Sequence, residues 1–491
     1  MSTAWQKRTR WQERTRCSGV LAAVLLLSSC AVGPNYHRPA APVPPAYKEL
    51  PKDAPVWTPV SPQDGADRGA WWSVYGDAEL DRLEQQVNIS NQNVKQYEAQ
   101  YRQAVGLLQE ARAQLFPIVG ATGSAQRGGG GGGATSTSSA VGSGPGGKAI
   151  NQFRLEATVS WTPDIWGTVR RQIESRKASV QVNKADLANA QLSAQATLAT
   201  DYFDLRSADS LRALLIKDVE LNRRALEITQ NQLQAGTATD GDVAEAQSLL
   251  QSAQAQLVGV EQQRGTFEHA IAVLTGHLPS EISVSEAPLP AAVPKIPVAI
   301  PSSLLERNPS IAAAERQMQQ ESALIGVAIG AYFPTVSLSG LGGYAGSQLS
   351  RLVNLGNRIW SIGATASDTL YDFGSRAGAV TAARATYDQY VAVYRQTVLS
   401  TFQQVEDELL ALRVLQNESK YEDSAVKSAQ TAADVALNEY NAGTVAYTTV
   451  ITALQTLITA QETALTIQQN RLVASVTLIE ALGGGWTVAD L

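Results

Sequence analysis

Residues 153–161, FRLEATVSW, decide the fold because their side chains alternate between apolar and polar at every position. A period of two is the pattern of a β-strand that has one apolar and one polar face. Residues 360–367, WSIGATAS, alternate in the same way, and a candidate strand precedes each segment, at 118–126 and 335–341. The sequence therefore predicts one β-hairpin in each half of the chain, or about four strands in all.

Strands of about ten residues with alternating faces suit a transmembrane β-barrel. An ordinary half-buried hairpin explains the pattern equally well, but the export signal within residues 1–30 favours the barrel. A sheet in lipid must close, since an open edge leaves backbone groups without hydrogen bonds. The smallest common barrels have about eight strands, so four strands per chain predict that several chains share one barrel.

The sequence predicts a very long helix after each hairpin. The stretch from Gly167 to Ala235 has about 69 residues, or ~100 Å at 1.5 Å per residue. Proline is costly inside a helix, and none occurs over 164–278 or 335–491. In the second half, an apolar stripe of heptad spacing fits both a coiled coil and the core of a plain helical bundle. Its members are Val391, Val398, Val405 and Leu412.

The chain also contains an internal repeat. Ala235-Gly236-Thr237 recurs as Ala442-Gly443-Thr444 after 207 residues, whereas Phe116-Pro117 recurs as Phe333-Pro334 after 217 residues. The difference of ten falls in the interval that holds six consecutive glycines at 128–133, a composition typical of a flexible loop. Solenoid repeats are much shorter, so the pattern predicts a duplicated domain.

Each Ala-Gly-Thr motif is predicted to be the turn between two helices of a hairpin. A glycine just past a helix end adopts the left-handed conformation that closes the helix. A new helix then starts near 240–242 in the first half and near 447–449 in the second. We expect Asp242 or Thr449 to cap it.

The first thirty residues resemble an export and lipidation signal. A basic segment and a short apolar run at 19–27 are followed by Leu27-Ser28-Ser29-Cys30, which resembles a bacterial lipobox. The apolar run is far shorter than the ~20 residues needed to span a bilayer. The resemblance implies that 1–29 are removed and that Cys30 is acylated, with an unprocessed signal anchor as the alternative. Ala31 resembles the second residue of lipoproteins that are sorted to the outer membrane.

Composition argues against several classes of function. A net charge of −6 and a pI near 5.4 argue against a nucleic-acid binder. Two cysteines and three histidines are too few for a disulfide framework or for most metal sites. The acidic run 406–408 (EDE) is predicted to be a solvated helix face rather than a catalytic carboxylate pair. The sequence therefore predicts no enzyme, no metal site and no cofactor apart from the covalent lipid on Cys30.

The chain resembles the TolC-type outer membrane factors, in their lipoprotein branch (OprM-like, NodT family). Four segments carry the resemblance: residues 30–36 (CAVGPNY), 71–80 (WWSVYGDAEL), 307–311 (RNPSI) with Glu315, and Phe333-Pro334. The resemblance implies a mainly α fold with a membrane β-barrel, in an internally duplicated protomer. Three such protomers form one twelve-stranded outer-membrane β-barrel, continued by a long twelve-helix periplasmic α-barrel.

The same resemblance divides the chain into segments. They are 1–29, lipoprotein signal peptide; 30–75, N-terminal extended and equatorial segment; 76–115 and 166–276, first-repeat α-barrel helices; 116–165, first β-hairpin; 277–305, equatorial connector; 306–332 and 374–482, second-repeat α-barrel helices; 333–373, second β-hairpin; and 483–491, C-terminal tail.

The implied function is that of a passive exit duct of a tripartite efflux system, which conducts small molecules across the periplasm and outer membrane. The implied partners are two further copies of the chain, a periplasmic adaptor, an inner-membrane pump and outer membrane lipid, but no nucleic acid. In the family, the hairpin tips form the periplasmic entrance and contact the adaptor. The matching residues here are Gly236, Asp240, Asp242, Tyr440, Gly443, Thr449 and Thr452.

Within this set, Tyr440 matches a gate tyrosine and Asp242 its carboxylate partner on the other hairpin. A bond between them would hold the tip closed. The chain departs from the family nearby, because Thr449 and Thr452 stand where some members carry aspartate rings, and Val445 stands where some carry a gate arginine.

Two alternatives remain at this stage. A lipid-anchored periplasmic adaptor also has long helical hairpins, but it would need a strand-dense lipoyl-like domain that the sequence does not contain. A lipid-anchored enzyme would need a catalytic grouping that the sequence does not contain either.

Overall fold

A computed structural model describes residues 31–49, 68–128, 150–294, 296 and 307–484, so that Cys30 lies outside the described residues. A 3₁₀ segment at Arg68–Tyr75 precedes the main elements. These are α1 (Ala78–Ser90), α2 (Gln92–Ala113), β1 (Ile118–Gly128), β2 (Ile150–Trp161), α3 (Thr168–Gln234), α4 (Asp240–Leu274), α5 (Pro309–Gly330), β3 (Thr335–Gly346), β4 (Arg358–Ser367), α6 (Ser375–Asn441) and α7 (Tyr447–Ala481). Measured over the described residues, every helix is too short or too polar to cross a membrane.

The four predicted strands are present, and they form one antiparallel sheet in the order β1-β2-β3-β4. Ile118 of β1 lies opposite Ser160 of β2, and Phe153 of β2 lies opposite Gly346 of β3. The two hairpins are therefore joined through β2 and β3. Among the described strands, β1 and β4 each have a partner on one side only, so the sheet of a single chain stays open.

The long helices of the two repeats have the same lengths. Helices α3 and α6 have 67 residues each, and α4 and α7 have 35 residues each. Gly167 and Gly374, just before α3 and α6, have positive φ angles of 81° and 89°. Glycine adopts this conformation without the steric cost that other residues incur. The matched lengths confirm the internal duplication that the spacing of sequence motifs predicts.

The first repeat begins with two helices rather than one, because Asn91 separates α1 from α2. The Asn91 side-chain oxygen accepts hydrogen bonds from the backbone amides of Asn93 and Val94. Its amide nitrogen donates to the Leu274 carbonyl at 2.8 Å. One buried side chain thus caps the start of α2 and the end of α4 together.

Asn308 makes the same set of contacts in the second repeat. Its side-chain oxygen accepts from the amides of Ser310 and Ile311, and its nitrogen donates to the Ala481 carbonyl at 3.0 Å. A close backbone approach accompanies each asparagine. A Cβ on Gly276 would lie 2.4 Å from the Ser90 oxygen, and a Cβ on Gly483 would lie 2.1 Å from the Arg307 oxygen. We call these two arrangements the junctions (Asn91 with Gly276, Asn308 with Gly483).

The chain forms two compact units. Among the described residues, one unit lies within 31–38, 103–180 and 316–391 and includes the sheet, and the other lies within 39–102, 181–315 and 392–484 and includes both junctions. In the second unit, Tyr202 and Phe203 of α3 are fully buried among apolar side chains of α1. The Tyr202 hydroxyl donates to Asp77, the N-cap of α1, at 2.6 Å. Asp77 therefore both caps α1 and ties its start to α3.

A buried network of charged groups holds the segment after α4 in the second unit. Asp209 pairs with Arg206 at 3.2 Å and with Arg264 at 2.6 Å. The two arginines also donate to the carbonyls of Ser285 and Val284, respectively. Since charges are tolerated in an interior when they are paired and hydrogen-bonded, the network fixes the path of this connector.

Candidate functional site: the hairpin tips and the N-terminal segment

The two tips, defined as residues 232–242 and 439–449, end their first helices in the same way. Gly236 and Gly443 have φ angles of 76° and 72°. The Thr237 amide donates to the Gln232 carbonyl, and the Thr444 amide donates to the Glu439 carbonyl, both about one turn back. In each case the threonine hydroxyl donates to that same carbonyl. This is a Schellman-type cap, and it explains why the whole Ala-Gly-Thr motif repeats.

The second helices of the two tips start differently. Helix α4 begins at Asp240, as predicted, but its N-cap is Thr239. Asp242 closes a capping box, because its carboxylate accepts from the Thr239 amide at 2.7 Å while the Thr239 hydroxyl accepts from the Asp242 amide. These bonds from Thr239 lower the pKa of the Asp242 carboxyl. The expectation that Asp242 is itself the cap is wrong, because it occupies the third position of the helix.

Helix α7 begins at Tyr447, also as predicted, with Ala446 at its N-cap and no side-chain hydrogen bond to the cap in the described structure. Thr449 is exposed, and its amide donates to the Ala446 carbonyl. The expectation that Thr449 caps this helix is therefore wrong. The exposed Thr452 directs its hydroxyl to the Thr448 carbonyl within the helix.

Tyr440 and Tyr447 both lie in the second tip and contact the first hairpin through an apolar cluster. Their rings lie edge to face, with centroids 5.0 Å apart. Both belong to a cluster that includes Ala225 of α3 and Val450 of α7. Burial raises the pKa of the Tyr447 hydroxyl. The cluster brings helices of both hairpins together just behind the glycine turns.

The predicted hydrogen bond between Tyr440 and Asp242 is not formed in the described part of the single chain. One carboxylate oxygen of Asp242 accepts from the amide and the hydroxyl of Thr239. Tyr440 packs its ring on Tyr447. Within the described residues of a single chain, no hydrogen bond joins Tyr440 to Asp242.

The start of the described chain is held in the first unit by Arg171. Its guanidinium donates to the carbonyls of Val32 and Gly33 and to the Asn35 side chain, all at 2.9–3.0 Å. Gly33, with a φ of 101°, lies so close to Gly326 that a Cβ would be 2.5 Å from the Gly326 Cα. Because the Arg171 side chain is almost fully buried, this segment is a fixed part of the fold.

Glu406 corrects the prediction of a solvated acidic face. Its two carboxylate oxygens accept from the backbone amides of Lys48 and Glu49, at 2.7 and 3.0 Å. Arg413, two turns further along α6, pairs with the Glu49 carboxylate at 2.5 Å. Burial raises the pKa of the neighbouring Glu408 carboxyl. The acidic run therefore binds the N-terminal segment in the second unit.

The sequence repeat marks some of these residues and not others. Asn91 and Asn308 lie at the 217-residue offset of the repeat, so the repeat itself marks them as equivalent positions. Arg171 has Gly378 at the corresponding position of the second repeat, so no repeat signal marks it. The described residues contain no group of three or more His, Cys, Asp and Glu side chains placed to hold a metal ion.

The sequence model of the family "Outer membrane efflux protein" matches residues 83–277 and 300–484, which is most of the chain. The chain belongs to this family. Among curated relatives, the pyoverdine export outer membrane protein OpmQ of Pseudomonas aeruginosa is 27% identical over 468 residues, covering 95% of this chain and 96% of OpmQ. The outer membrane protein OprJ of the same organism is 28% identical over 473 residues, with 95% of each chain covered.

The solved structure of the outer-membrane channel OprN has a TM-score of 0.81 to this chain at 27% identity, covering 93% of this chain and 100% of OprN. The efflux protein is therefore an outer membrane channel that extends into the periplasm, with the fold of the TolC-type trimers. It acts with an adaptor and an inner-membrane pump in a tripartite system. The adaptor alternative is wrong. The family is one of channels rather than enzymes, and it needs no cofactor.

Proposed function

We propose that this channel conducts small organic molecules passively, without catalytic activity of its own, and that its two hairpin tips form the periplasmic entrance. The carrying observation is the pair of exposed glycine turns at Gly236 and Gly443, which end both hairpins with the same cap. The relative OpmQ is named for pyoverdine export, which supports small organic molecules as the class of substrate.

Movement at the entrance then requires the two hairpins to separate. The cluster behind the turns, built on Tyr440, Tyr447 and Ala225, resists this separation through apolar contact. We further propose that the Tyr440 hydroxyl donates to the Asp242 carboxylate oxygen that Thr239 leaves available, when the assembled tips are closed. A hydrogen bond to a charged group contributes about 1.5–3 kcal/mol. In this proposal Asp240 and Thr449 lie in the same tips, and Thr452 lies one turn into α7, without a charge pair.

The test combines Tyr440→Phe with Asp242→Ala in cells that lack their own efflux channels. We expect greater uptake of large antibiotics and a larger conductance of the purified trimer in planar bilayers, because the closed tip loses its hydrogen bond. The matched control is Tyr421→Phe, the same change on an exposed tyrosine of α6 away from the tip. Equal uptake and conductance in the double variant and the wild type would refute the gate.

We also propose that Cys30 carries the lipid anchor. The supporting observation is that the residues immediately after it are held by Arg171 and by the close contact between Gly33 and Gly326. A lipid attached at Cys30 would thus be joined directly to a segment that the fold holds in place. Mass spectrometry of the N-terminal peptide tests this directly, since two or more acyl chains add a large apolar mass. An unmodified Cys30, or an uncleaved Met1 terminus, would contradict the proposal.

A further inference from the structure

One face of the sheet is apolar and exposed over most of its length. Leu155, Val159 and Trp161 of β2 are 37–47% exposed, and Trp360 and Ile362 of β4 are 69% and 83% exposed. Alternate residues of a strand share a face, and these positions pair across the sheet with apolar residues or glycine. In an outer membrane channel, this face meets lipid.

The two ends of this face differ in the elements to which the strands connect. At one end the strands continue into α3 and α6, which belong to the periplasmic side of the channel. The β3–β4 loop, residues 347–357, therefore lies at the opposite end, towards the outer leaflet. Trp161 lies near the helical end, and Phe153 lies eight residues away near the loop end. That separation is about 26 Å, close to the ~25 Å of an apolar membrane band.

Two arginines lie just beyond the loop end of the apolar face. Arg358 is the next outward-facing position after Trp360 on β4, directly opposite Tyr344 on β3. The Arg351 backbone lies close to the start of β4, because the side chain of Asn357, the residue before Arg358, donates to the Arg351 carbonyl at 2.8 Å. Both arginines are exposed. In the described part of the chain neither guanidinium has an acidic partner or a hydrogen-bond acceptor.

The loop around these arginines is itself apolar. Leu349, Val353 and Leu355 are 66%, 71% and 82% exposed. Neighbouring exposed aliphatic side chains mark surfaces that meet a membrane or another partner, and the two arginines beside them supply positive charge. The combination matches an amphiphile that has an anionic head and hydrocarbon chains.

Arg127 adds a third cation at the seam between subunits. It is the last outward-facing position of β1, since it shares a face with Val119. The open edges of the sheet are β1 and β4, so a closed trimeric barrel joins β4 of one subunit to β1 of the next. Arg358 and the partner subunit's Arg127 then flank the same seam near the loop end.

We propose that Arg351, Arg358 and the partner subunit's Arg127 bind the phosphate of an anionic lipid in the outer leaflet. Arginine presents parallel donors that match phosphate oxygens. The acyl chains of the lipid lie on the apolar face, over Trp360 and the aliphatic loop residues. The site needs two subunits, so the lipid also stabilises the trimer at its seams. The inference rests on the membrane channel itself and is independent of the proposed tip gate.

The test titrates purified trimers with diphosphorylated lipid A in mild detergent and counts retained lipid by native mass spectrometry. We expect the double variant Arg351→Ala/Arg358→Ala to bind at least about tenfold more weakly, since the loss of even one charge-assisted bond corresponds to roughly that factor. We expect Arg127→Ala to weaken lipid A binding as well. The matched control is Arg154→Ala, since Arg154 lies at the same end of the sheet but on its opposite face.

Three results of the lipid titrations would overturn the proposal, and a competition experiment gives a fourth. They are equal lipid A binding by the double variant and the wild type, an equal loss in Arg154→Ala, and equal retention of the zwitterionic lipid phosphatidylcholine. Competition by millimolar inorganic phosphate would also overturn it, because it would show a free-anion site rather than a lipid site. Arg351→Lys/Arg358→Lys guards against misfolding, since it keeps both charges and is expected to retain intermediate affinity while the trimer survives in detergent.

Discussion

The two junctions of this channel are nearly identical, whereas its two tips differ. Asn91 and Asn308 make matching hydrogen bonds, and Gly276 and Gly483 make matching backbone approaches. The tips share their glycine cap, but the first restarts with a charged capping box and the second with an uncapped alanine. The difference follows from burial. A buried junction leaves no space for a different set of side chains, whereas an exposed tip can start its second helix with different residues.

The largest expected effect contrasts the glycines of the two regions. Gly276→Ala places a Cβ 2.4 Å from a backbone oxygen in a positive-φ conformation, whereas Gly236 has nothing within 4 Å of its added Cβ. We expect Gly276→Ala and Gly483→Ala to cost about 3 kcal/mol or more. Gly236→Ala and Gly443→Ala should cost about 1–2 kcal/mol. The melting temperature of the detergent-solubilised trimer, followed by circular dichroism, measures both. Equal losses at junction and tip would break the comparison.

The next effect concerns the asparagines. Asn91→Ala and Asn308→Ala each remove three hydrogen bonds from a buried position. We expect each to cost about 2–4 kcal/mol, because buried backbone groups lose their partners. The two costs should agree within about 1 kcal/mol if the junctions are equivalent. Asn93→Ala, on an exposed side chain, is the control for the melting measurement and should change little.

A third effect tests an asymmetry between the repeats at Glu84 of α1. This carboxyl is fully buried, and neither of its oxygens has a hydrogen-bond partner in the described structure. Burial, with a contribution from Asp81, raises the pKa of the Glu84 carboxyl from 4.5 to about 9. The folded state therefore keeps a proton that the unfolded state releases above pH 4.5. Stability is then greatest below this pH and falls as the pH rises towards 9.

Each pH unit in that window costs up to about 1.4 kcal/mol. Glu84→Gln removes the titration, so its melting temperature should exceed that of the wild type by a margin that widens from pH 5 to pH 8.5. At the 217-residue offset the second repeat has Pro301, so no matching variant exists there. A margin that stays constant with pH would contradict the neutral Glu84.

The smallest effect separates the two tips. Thr239→Ala removes the N-cap bond of α4 and should cost about 1 kcal/mol locally. Thr449→Ala, at an exposed threonine that caps nothing, should cost little. Hydrogen exchange of peptides from 240–246 and 447–453 reports each tip separately. Faster exchange in both tips, or in neither, would show that the capping box does not distinguish them.

Local sequence signals predicted the elements of the fold with good accuracy. The period-two pattern at 153–161 falls within β2, and the glycine landmarks bracket α3 and α6. These signals succeed because they reflect backbone periodicity and helix termination, which depend on neighbouring residues. The repeat offset likewise predicted the duplication, and the strand count predicted a barrel shared between chains.

Signals that depend on distant partners were missed or misjudged. Glu406 was expected in solvent but binds the backbone at Lys48 and Glu49, more than 350 residues away. The capping residue of α4 was placed at Asp242 instead of Thr239, because both residue types favour helix starts. Arg171 carries no sequence mark, since its partners are backbone carbonyls that any residue supplies.

The sequence by itself thus determined the strands, the long helices, the two turns and the need for several chains, because periodicity, glycine and proline act over short distances. Tertiary structure alone decided the junctions, the contacts of Arg171 with Val32 and Gly33, and the contact that holds the Arg351 backbone near the start of β4. Each of these depends on which backbone groups meet across the fold. A hydrogen bond to a backbone carbonyl leaves no trace in the identity of the residue that accepts it.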